Sequence, residues 1–192
     1  MTTIKTEDFL RNFSEYISSK PRIIAVAGGS GSGKSYISKK LSEEIDARVI
    51  ELDHYIIPEK ITCKSNWDLP ECWNLDLVRS NLNEFMAGEL FRKPVYDFKT
   101  GTNHRHEIIY PNKTLVLEGL YALHESIYGL AGLGIFIDIS EEERLNRVLK
   151  RDIIERGRKT MEGIIKRWNN TIQPAYLRFV EPQKNKADII LI

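Results

Sequence analysis

Apolar residues along this chain follow two kinds of pattern, which together predict alternating strands and helices. Ile37, Leu41 and Ile45 recur at steps of four, and this spacing places them on one face of a helix. Other segments are short and rich in apolar residues, as buried strands are. These segments are Ile23–Ala27, Arg48–Leu52, Thr114–Leu117, Ile135–Ile139 and Asp188–Ile192. Strands that alternate with helices favour right-handed crossovers, so we predict an α/β fold with a five-stranded parallel sheet flanked by helices.

Three further helices are predicted outside this core pattern. Residues Thr6–Ile17 carry an apolar stripe, which predicts a helix that packs against the sheet. Residues Ser140–Arg156 predict another helix, because Ser140 and Glu143 have the spacing of a capping box. The last helix carries an apolar stripe whose spacing is typical of core packing. Its members are Met161, Ile164, Ile165, Trp168 and Ile172.

The segment between the second and third predicted strands, about residues 57–111, is too long for a simple connection. Asn74 is placed to cap a helix that ends at Gly88. Pro94–Phe98 and Glu107–Tyr110 flank a turn-rich segment, which predicts a β-hairpin. Because a loop of this length in a compact domain is usually functional, we predict that this insertion binds the second substrate.

The most informative motif follows the first predicted strand. Gly28 is followed after four residues by Gly33, Lys34 and Ser35, which matches the phosphate-binding P-loop pattern without a mismatch. The glycines allow backbone N–H groups to point at phosphate oxygens, Lys34 can reach the β- and γ-phosphates, and the Ser35 hydroxyl can bind Mg²⁺. We therefore predict that the chain binds a nucleoside triphosphate through one continuous segment. Its residues are Gly28, Gly29, Ser30, Gly31, Ser32, Gly33, Lys34, Ser35 and Tyr36.

The composition bounds the class of protein. The 192 residues are 42% hydrophobic and 29% charged with a net charge of +1, which suits one soluble domain spanning residues 1–192. Near-neutral charge argues against nucleic acid as the main partner, because no excess of cations is available for a phosphate backbone. We expect no signal peptide and no membrane span, and Cys63 and Cys72 lack a paired motif. A cytoplasmic protein is therefore expected, and the sequence leaves open whether it forms a homo-oligomer.

Two carboxylates, Asp53 and Glu118, follow predicted strands at the edge where the P-loop begins. Ligands of parallel sheets gather at the carboxyl ends of the strands, so both side chains are placed near the phosphates. A P-loop also occurs in GTPases, and Asn185–Asp188 matches the guanine-recognition pattern. We interpret that match as a coincidence, because it precedes the last predicted strand and no Asp-x-x-Gly segment is present. The strand-end carboxylates and the insertion favour a phosphotransferase that acts on a small hydroxyl compound.

An arginine-rich segment, about residues 144–160, follows the fourth predicted strand. Such a charge run is often only a solvated helix face. Here it ends at a glycine in a chain that binds a polyphosphate, which favours a lid that closes cations over the phosphates. The basic residues of the run are Arg144, Arg147, Lys150, Arg151, Arg156 and Arg158.

Several collinear motifs together resemble the uridine kinase and phosphoribulokinase superfamily, and most closely its uridine/cytidine kinase branch. The likeness runs from about Ile23 to Ile192. The segments that carry it are Ile24–Ser35, Asp53–Tyr55, Asn66–Pro70, Pro94–Phe98, Leu117–Gly119, Arg151–Arg158 and Glu181–Ile190.

The resemblance implies an ATP- and Mg²⁺-dependent kinase and suggests a role for each candidate residue. Asp53 corresponds to the general base near the metal, and Glu118 to a Mg²⁺-site carboxylate beside Ser35. Arg151, Arg156 and Arg158 correspond to the lid cations on the phosphates, and with Lys34 of the P-loop we count Arg151 as catalytic. The implied acceptor-binding residues are Asp68 for sugar hydroxyls, with Tyr55, Tyr96 and Phe98 as walls. From sequence alone, a turn cap for Asp68 and hairpin packing for the last two aromatics remain open.

The chain departs from the uridine/cytidine kinase pattern where that branch reads the pyrimidine. Gly101 stands where a histidine is expected, Val148 where an arginine is expected, and Lys166 where a glutamine is expected. His104 is three residues beyond Gly101 and is a candidate substitute. Because the phosphate-binding residues are intact and the base-reading residues differ, we expect uridine and cytidine to be poor acceptors. A sugar, a vitamin alcohol or another nucleoside is the alternative acceptor, and a nucleotide-binding regulator without turnover is the alternative class.

Overall fold

The computed structural model describes residues 1–17, 21–60, 66–111, 114–154 and 160–192. Its main sheet has six strands, which are all parallel to their neighbours and lie in the order β1-β8-β7-β2-β6-β3. The strands are β1 (Thr2–Ile4), β2 (Ile23–Gly28), β3 (Arg48–Glu51), β6 (Leu115–Glu118), β7 (Leu133–Ile137) and β8 (Ile189–Leu191). The α/β class and the parallel sheet are confirmed.

The predicted number of five strands is wrong, because β1 adds a sixth at the edge of the sheet. Thr2 and Thr3 are exposed and only Ile4 is buried, so the segment lacks the apolar run that marked the other strands. Its partner β8 ends the chain, and the two strands pair in register from Thr2 with Ile189 to Ile4 with Leu191. This pairing depends on the folded sheet and is not encoded locally.

Helices cover both faces of the sheet. The helices with α-helical geometry are α1 (Thr6–Arg11), α2 (Phe13–Tyr16), α3 (Lys34–Ile45), α4 (Leu75–Ala87), α5 (Glu125–Tyr128), α6 (Glu141–Ile154), α7 (Met161–Arg167) and α8 (Gln173–Ala175). The single helix predicted over Thr6–Ile17 is divided at Asn12, whose φ of −127° is not helical. After α7 the chain stays helical through π-helical turns at Trp168–Ile172 and Tyr176–Val180 and a 3₁₀ segment, Glu181–Lys186.

Alternating residues of the central strand β2 face two separate cores. Ile24 and Val26 pack with residues of α1 and α3, among them Phe9 and Ile37. Ile23, Ala25 and Ala27 lie in the larger core, which includes the insertion and the last helices. Because both faces of the sheet are covered, its strands are buried over most of their length, as in other parallel sheets.

The predicted insertion contains a helix and a β-hairpin. Asn74 caps α4 by accepting a hydrogen bond from Leu77 N at 3.0 Å, and Gly88 ends the helix with a φ of +80°. The hairpin strands β4 (Phe91–Asp97) and β5 (Thr102–Ile109) pair antiparallel, with Gly101 at a φ of +70° in the turn. The insertion therefore extends from the same edge of the sheet as the turn after β3.

Asp188, the last residue of the GTPase-like match, supports the start of a strand. Its Oδ2 atom accepts a hydrogen bond from Gly134 N at 2.7 Å, at the amino end of β7. This is the sheet edge opposite the P-loop, so its position agrees with our interpretation of the match as a coincidence. Across the described ranges, no helix is both long and apolar enough to cross a membrane.

Candidate active site

The P-loop forms a glycine-rich turn between β2 and α3. Ser32 N donates to Gly29 O at 3.0 Å, and α3 begins at Lys34 with Gly33 as its N-cap. Gly31 and Gly33 have φ values of +80° and +97°, in the left-handed region that favours glycine. The first N–H groups of the twelve-residue helix α3 have no acceptor within the helix, which is the arrangement that binds phosphate at a helix N-terminus.

The Ser35 hydroxyl and the Glu118 carboxylate lie together at the edge of this turn. Ser35 Oγ donates to Glu118 Oε1 at 2.9 Å, whereas Glu118 Oε2 is buried without a hydrogen-bond partner among the described residues. Burial raises the pKa of Glu118, and the charge of Lys34 opposes that shift. A buried carboxylate oxygen without a partner, next to the Ser35 hydroxyl, fits a Mg²⁺ ion that would take its other ligands from phosphate and water.

The described residues contain no cluster of three or more His, Cys, Asp or Glu side chains that could hold a metal by themselves. A Mg²⁺ ion at Ser35 and Glu118 would therefore depend on the nucleotide for part of its coordination, as is usual in phosphoryl-transfer sites. When bound, such an ion neutralises charge on the phosphates.

Asp53 lies in a 3₁₀ turn, Leu52–Tyr55, directly after β3. In the sheet register, Glu118 lies beside Val26 of β2 and Glu51 of β3, so the turn after β3 faces the P-loop. The Asp53 side chain is exposed to a cavity of about 580 Å³. The cavity is lined by Ser30, Lys34, Asp53, Ile56, Trp67, Asp68, Trp73, Phe98, Lys99, Leu120, Arg151, Arg167 and Ile172. Its size is that of a pocket for a small molecule.

Asp68 is buried at the wall of this cavity. Its backbone is fixed by two hydrogen bonds, because Asp68 N donates to Asn66 Oδ1 at 3.0 Å and Tyr121 Oη donates to Asp68 O. Burial raises the pKa of the Asp68 carboxyl, while the nearby cations Arg167 and Lys34 oppose the shift. Neighbouring residues therefore hold the backbone of Asp68 in place, and its Oδ2 atom has no hydrogen-bond partner among the described residues.

A chain of alternating charges links this wall to helix α6. Arg167 Nη2 lies 3.7 Å from Asp68 Oδ2, and Arg167 Nη1 lies 4.0 Å from Asp152 Oδ2. On the other side, Arg151 Nε donates to Asp152 Oδ1 at 3.0 Å. Asp152 is fully buried and anchors both guanidinium groups, each of which lines the cavity.

The aromatic residues that we predicted as acceptor walls occupy different positions. Phe98 lines the cavity and is 56% exposed, so it is available to a ligand. Tyr96 lies behind it in an edge-to-face contact, with ring centroids 5.0 Å apart, and its buried hydroxyl has no partner among the described residues. Tyr55 is a core residue whose hydroxyl donates to Asn81 Oδ1 at 2.9 Å, and it lies outside the cavity lining.

The positions at which the chain departs from the uridine/cytidine kinase pattern carry no polar group into the cavity. Val148 is fully buried against Ile164 and Trp168. Lys166 is exposed and, like His104 on β5, does not line the cavity. A Cβ atom on Gly101 would lie 3.7 Å from Tyr96 Oη, so a larger side chain there would meet the unpartnered hydroxyl.

The predicted lid is described only in part. Arg151 lies on α6 and lines the cavity together with the P-loop residues Ser30 and Lys34. Arg156 and Arg158 lie outside the described residues. Sequence reasoning missed Trp67, Trp73, Lys99 and Arg167. Trp67 lies within the motif Asn66–Pro70, and that motif is the sequence signal that could have identified it.

These features define the class of protein before any comparison. A parallel sheet, a P-loop at the carboxyl end of its central strand and an acceptor-sized cavity beside that loop are those of a P-loop kinase. Residues 23–192 match the model of the family described as "Phosphoribulokinase / Uridine kinase family". The chain therefore belongs to this family, and the resemblance inferred from its motifs is confirmed.

Similar proteins agree with the assignment. A protein named uridine kinase from Bacillus cytotoxicus is 34% identical over 182 residues, which cover 90% of this chain and 85% of that protein. A protein of the same name from Oceanobacillus iheyensis is 35% identical, with 90% and 86% covered. The solved structure of a "possible uridine kinase" from Bacillus stearothermophilus superposes with a TM-score of 0.73, at 17% identity and with 97% and 98% covered. That likeness shows the fold.

Proposed function

We propose that this chain transfers the γ-phosphoryl group of ATP, in the presence of Mg²⁺, to a hydroxyl group of a nucleoside or a related small acceptor. The observation that carries the proposal is that one cavity is lined by Lys34 of the P-loop, by Asp53 and by Asp68. A phosphate-binding cation, a proton acceptor and a group for sugar hydroxyls therefore face the same space. The names of the relatives at 34% and 35% identity support a nucleoside acceptor.

The geometry supports a direct transfer in which the protein positions groups and neutralises charge. The acceptor hydroxyl gives its proton to the Asp53 carboxylate while its oxygen forms a bond to the γ-phosphorus. The bond from that phosphorus to the β–γ bridging oxygen breaks, and ADP leaves. Lys34 and Arg151 stabilise the charge on the transferred group, and Asp68 accepts hydrogen bonds from other hydroxyls of the acceptor.

We further propose that the acceptor is held mainly by its polyol or sugar part and only weakly by a pyrimidine. Val148 and Gly101 supply no hydrogen-bonding side chain, and Lys166 and His104 do not line the cavity. A polar ring that enters a site without partners loses its hydrogen bonds to water and gains none from the protein. This observation favours the second candidate, a kinase of the same family that acts on another hydroxyl compound.

A panel of nucleosides, sugars and small alcohols, assayed for ADP release at matched concentrations, tests this specificity. The proposal predicts that some other hydroxyl compound is phosphorylated faster than uridine and cytidine. If uridine or cytidine is the best acceptor and His104→Ala removes the preference, the hairpin restores base recognition and the proposed specificity is wrong. Kinase activity itself would stand in both cases.

A further inference from the structure

Arg144, on the first turn of α6, is a buried cation that the transfer described above does not use. Its side chain is only 2% exposed. Nη2 donates to the neutral amide oxygen Oε1 of Gln173 at 2.8 Å, while Nε and Nη1 have no hydrogen-bond partner among the described residues. Two unpartnered nitrogen atoms, with three N–H groups between them, are costly on a buried cation, because the group has left water without gaining partners.

The guanidinium group of Arg144 lies between aromatic rings and the outer side of the P-loop. Its central carbon is 3.8 Å from the centroid of the Tyr176 ring and 5.2 Å from that of Trp168. A Cβ atom on Gly29 would lie 2.7 Å from Arg144 Nη1, and one on Gly31 would lie 2.4 Å from Arg144 O. Arg144 therefore lies directly against the backbone of the P-loop at Gly29 and Gly31.

Two of the carboxylates near Arg144, Glu141 and Asp138, are bound to other groups, and a third, Glu181, is exposed. Glu141 accepts hydrogen bonds from Trp168 Nε1 and Gln173 Nε2, each at 3.0 Å. Asp138 forms an ion pair with Lys184. Among the described residues, no carboxylate lies within ion-pairing distance of the Arg144 guanidinium. Stacking on Tyr176 offsets part of the burial cost, but the charge itself lacks an anion.

We propose that Arg144 is a positioning residue for the nucleotide, acting through the P-loop, and that the bound triphosphate is the anion its buried charge lacks. An unpaired charge in a low-dielectric interior acts over longer distances than one in water. It makes the folded protein less stable without nucleotide and makes nucleotide binding more favourable. This proposal rests on the proposed function, because it requires a nucleoside triphosphate at the P-loop.

Arg144→Met is the informative variant, because methionine fills a similar volume and removes the charge. We expect the dissociation constant for ATP with Mg²⁺, measured by titration calorimetry, to rise about tenfold. The rise should be smaller for ADP and smaller again for AMP, because the number of phosphate charges falls. The KM for ATP should rise while kcat changes by less than about threefold. Without nucleotide, the unfolding midpoint should be equal to or above that of the wild type, because a buried unpaired charge is gone.

Two further variants make the result decisive. Arg144→Lys keeps the charge and loses the flat stacking surface, so ATP affinity should stay within about threefold of the wild type. Arg178→Met removes an exposed cation that also stacks on an aromatic ring, Phe179, with 4.9 Å between them. It is the matched control, and its ATP affinity should equal that of the wild type.

The outcomes separate the possible roles. If Arg144→Met lowers the unfolding midpoint and leaves ATP affinity unchanged, Arg144 is a packing residue and the proposal is overturned. It is also overturned if Arg144→Lys folds but loses as much ATP affinity as Arg144→Met. If Arg144→Met does not fold, Arg144→Lys alone decides, and a tenfold loss of ATP affinity in that variant contradicts the proposal. A wild-type protein that binds no ATP would instead contradict the proposed function.

Discussion

The Ser35 hydroxyl donates a hydrogen bond of 2.9 Å to Glu118 Oε1, across 83 residues of sequence, while the other carboxylate oxygen is buried without a partner among the described residues. The pair joins the first turn of α3 to the carboxyl end of β6, two elements that adjoin the central strand. This arrangement leaves one buried acidic oxygen ready for a cation. It therefore makes separate predictions for stability and for activity.

Glu118→Gln should stabilise the nucleotide-free protein and impair catalysis. Burial raises the pKa of Glu118, so the folded state binds the proton more tightly than the unfolded state does. The folded protein therefore loses stability as the pH rises through the raised pKa and the carboxylate ionises. Below the ordinary pKa of a glutamate this loss of stability is absent. At neutral pH the unfolding midpoint of the Gln variant should be about 2–4 °C higher, for a gain of ~1 kcal/mol in the free energy of unfolding. The Mg²⁺ concentration that the variant needs for turnover should increase.

Unfolding followed by circular dichroism from acid to neutral pH, without nucleotide, checks this stability effect. The difference between Glu118→Gln and the wild type should grow as the pH rises. A difference that is constant with pH would show that the Glu118 carboxylate is not the source. Glu59→Gln, at an exposed glutamate outside the site, is the matched control.

Lys34→Ala should nearly abolish phosphoryl transfer while the protein remains folded. Lys34 is half-buried at the first position of α3 and lines the cavity. Its loss therefore removes a positive charge beside the transferred phosphate but disturbs the packing of the core little. Removing one electrostatic donor at a transition state costs roughly 2.7–4 kcal/mol. Lys39→Ala, at an exposed position on the same helix, should keep full turnover. A folded Lys34→Ala protein with near-normal kcat would contradict the role of the P-loop in catalysis.

Asp53→Asn should keep ATP binding and lose most of the turnover. The substitution preserves the shape of the side chain and removes the proton acceptor, whose loss is worth on the order of 10²–10⁴ in rate. Steady-state kinetics at saturating acceptor measure kcat, and calorimetry measures ATP binding. Asp76→Asn, an exposed carboxylate at the start of α4, is the control. Retention of more than about a tenth of the turnover, well outside that range, would make Asp53 a structural residue.

Arg167→Gln should weaken acceptor binding in a pH-dependent way. Arg167 is the cation that most opposes the burial-induced rise in the Asp68 pKa, so its removal raises that pKa further. Because only the ionised carboxylate accepts hydrogen bonds from hydroxyl groups through both oxygens, the acceptor KM should rise. The increase should be larger at low pH and should diminish as the pH rises.

The matched control for this prediction is Arg79→Gln, an exposed arginine on α4. Its acceptor KM should equal that of the wild type at every pH. An acceptor KM in Arg167→Gln that does not change with pH would show that Arg167 acts on the ligand directly and not through Asp68.

The local parts of the site could be predicted from sequence, because adjacent residues encode them. One short segment is enough to identify the P-loop and the capping residue Asn74. The carboxylates Asp53 and Glu118 could be placed because ligands of parallel sheets gather at the carboxyl ends of the strands. The cavity is different. Arg167 follows the apolar stripe of α7, and only the folded insertion brings Asp68 to it, with Asn66 Nδ2 donating to Thr171 O at 3.2 Å.

Tyr55 shows a second case in which the position of a side chain depends on the folded structure. The resemblance to uridine/cytidine kinases implied that Tyr55 forms a wall of the acceptor site. In the 3₁₀ turn the side chains of Asp53 and Tyr55 diverge, and Tyr55 enters the core to bond Asn81 of α4. The direction of the Tyr55 side chain depends on which residue can accept a hydrogen bond from its hydroxyl. That residue, Asn81, is 26 residues away in the chain.

Transfer of a labelled γ-phosphoryl group from ATP to an acceptor is the most direct test of the central claim. The wild-type protein is incubated with γ-labelled ATP, Mg²⁺ and each acceptor of the panel, and both the labelled products and ADP are quantified. Our account predicts labelled acceptor in equal amount to the ADP formed, and no labelled acceptor with Lys34→Ala. Label that appears only as inorganic phosphate, or ATP that is bound but not consumed with any acceptor, would contradict it.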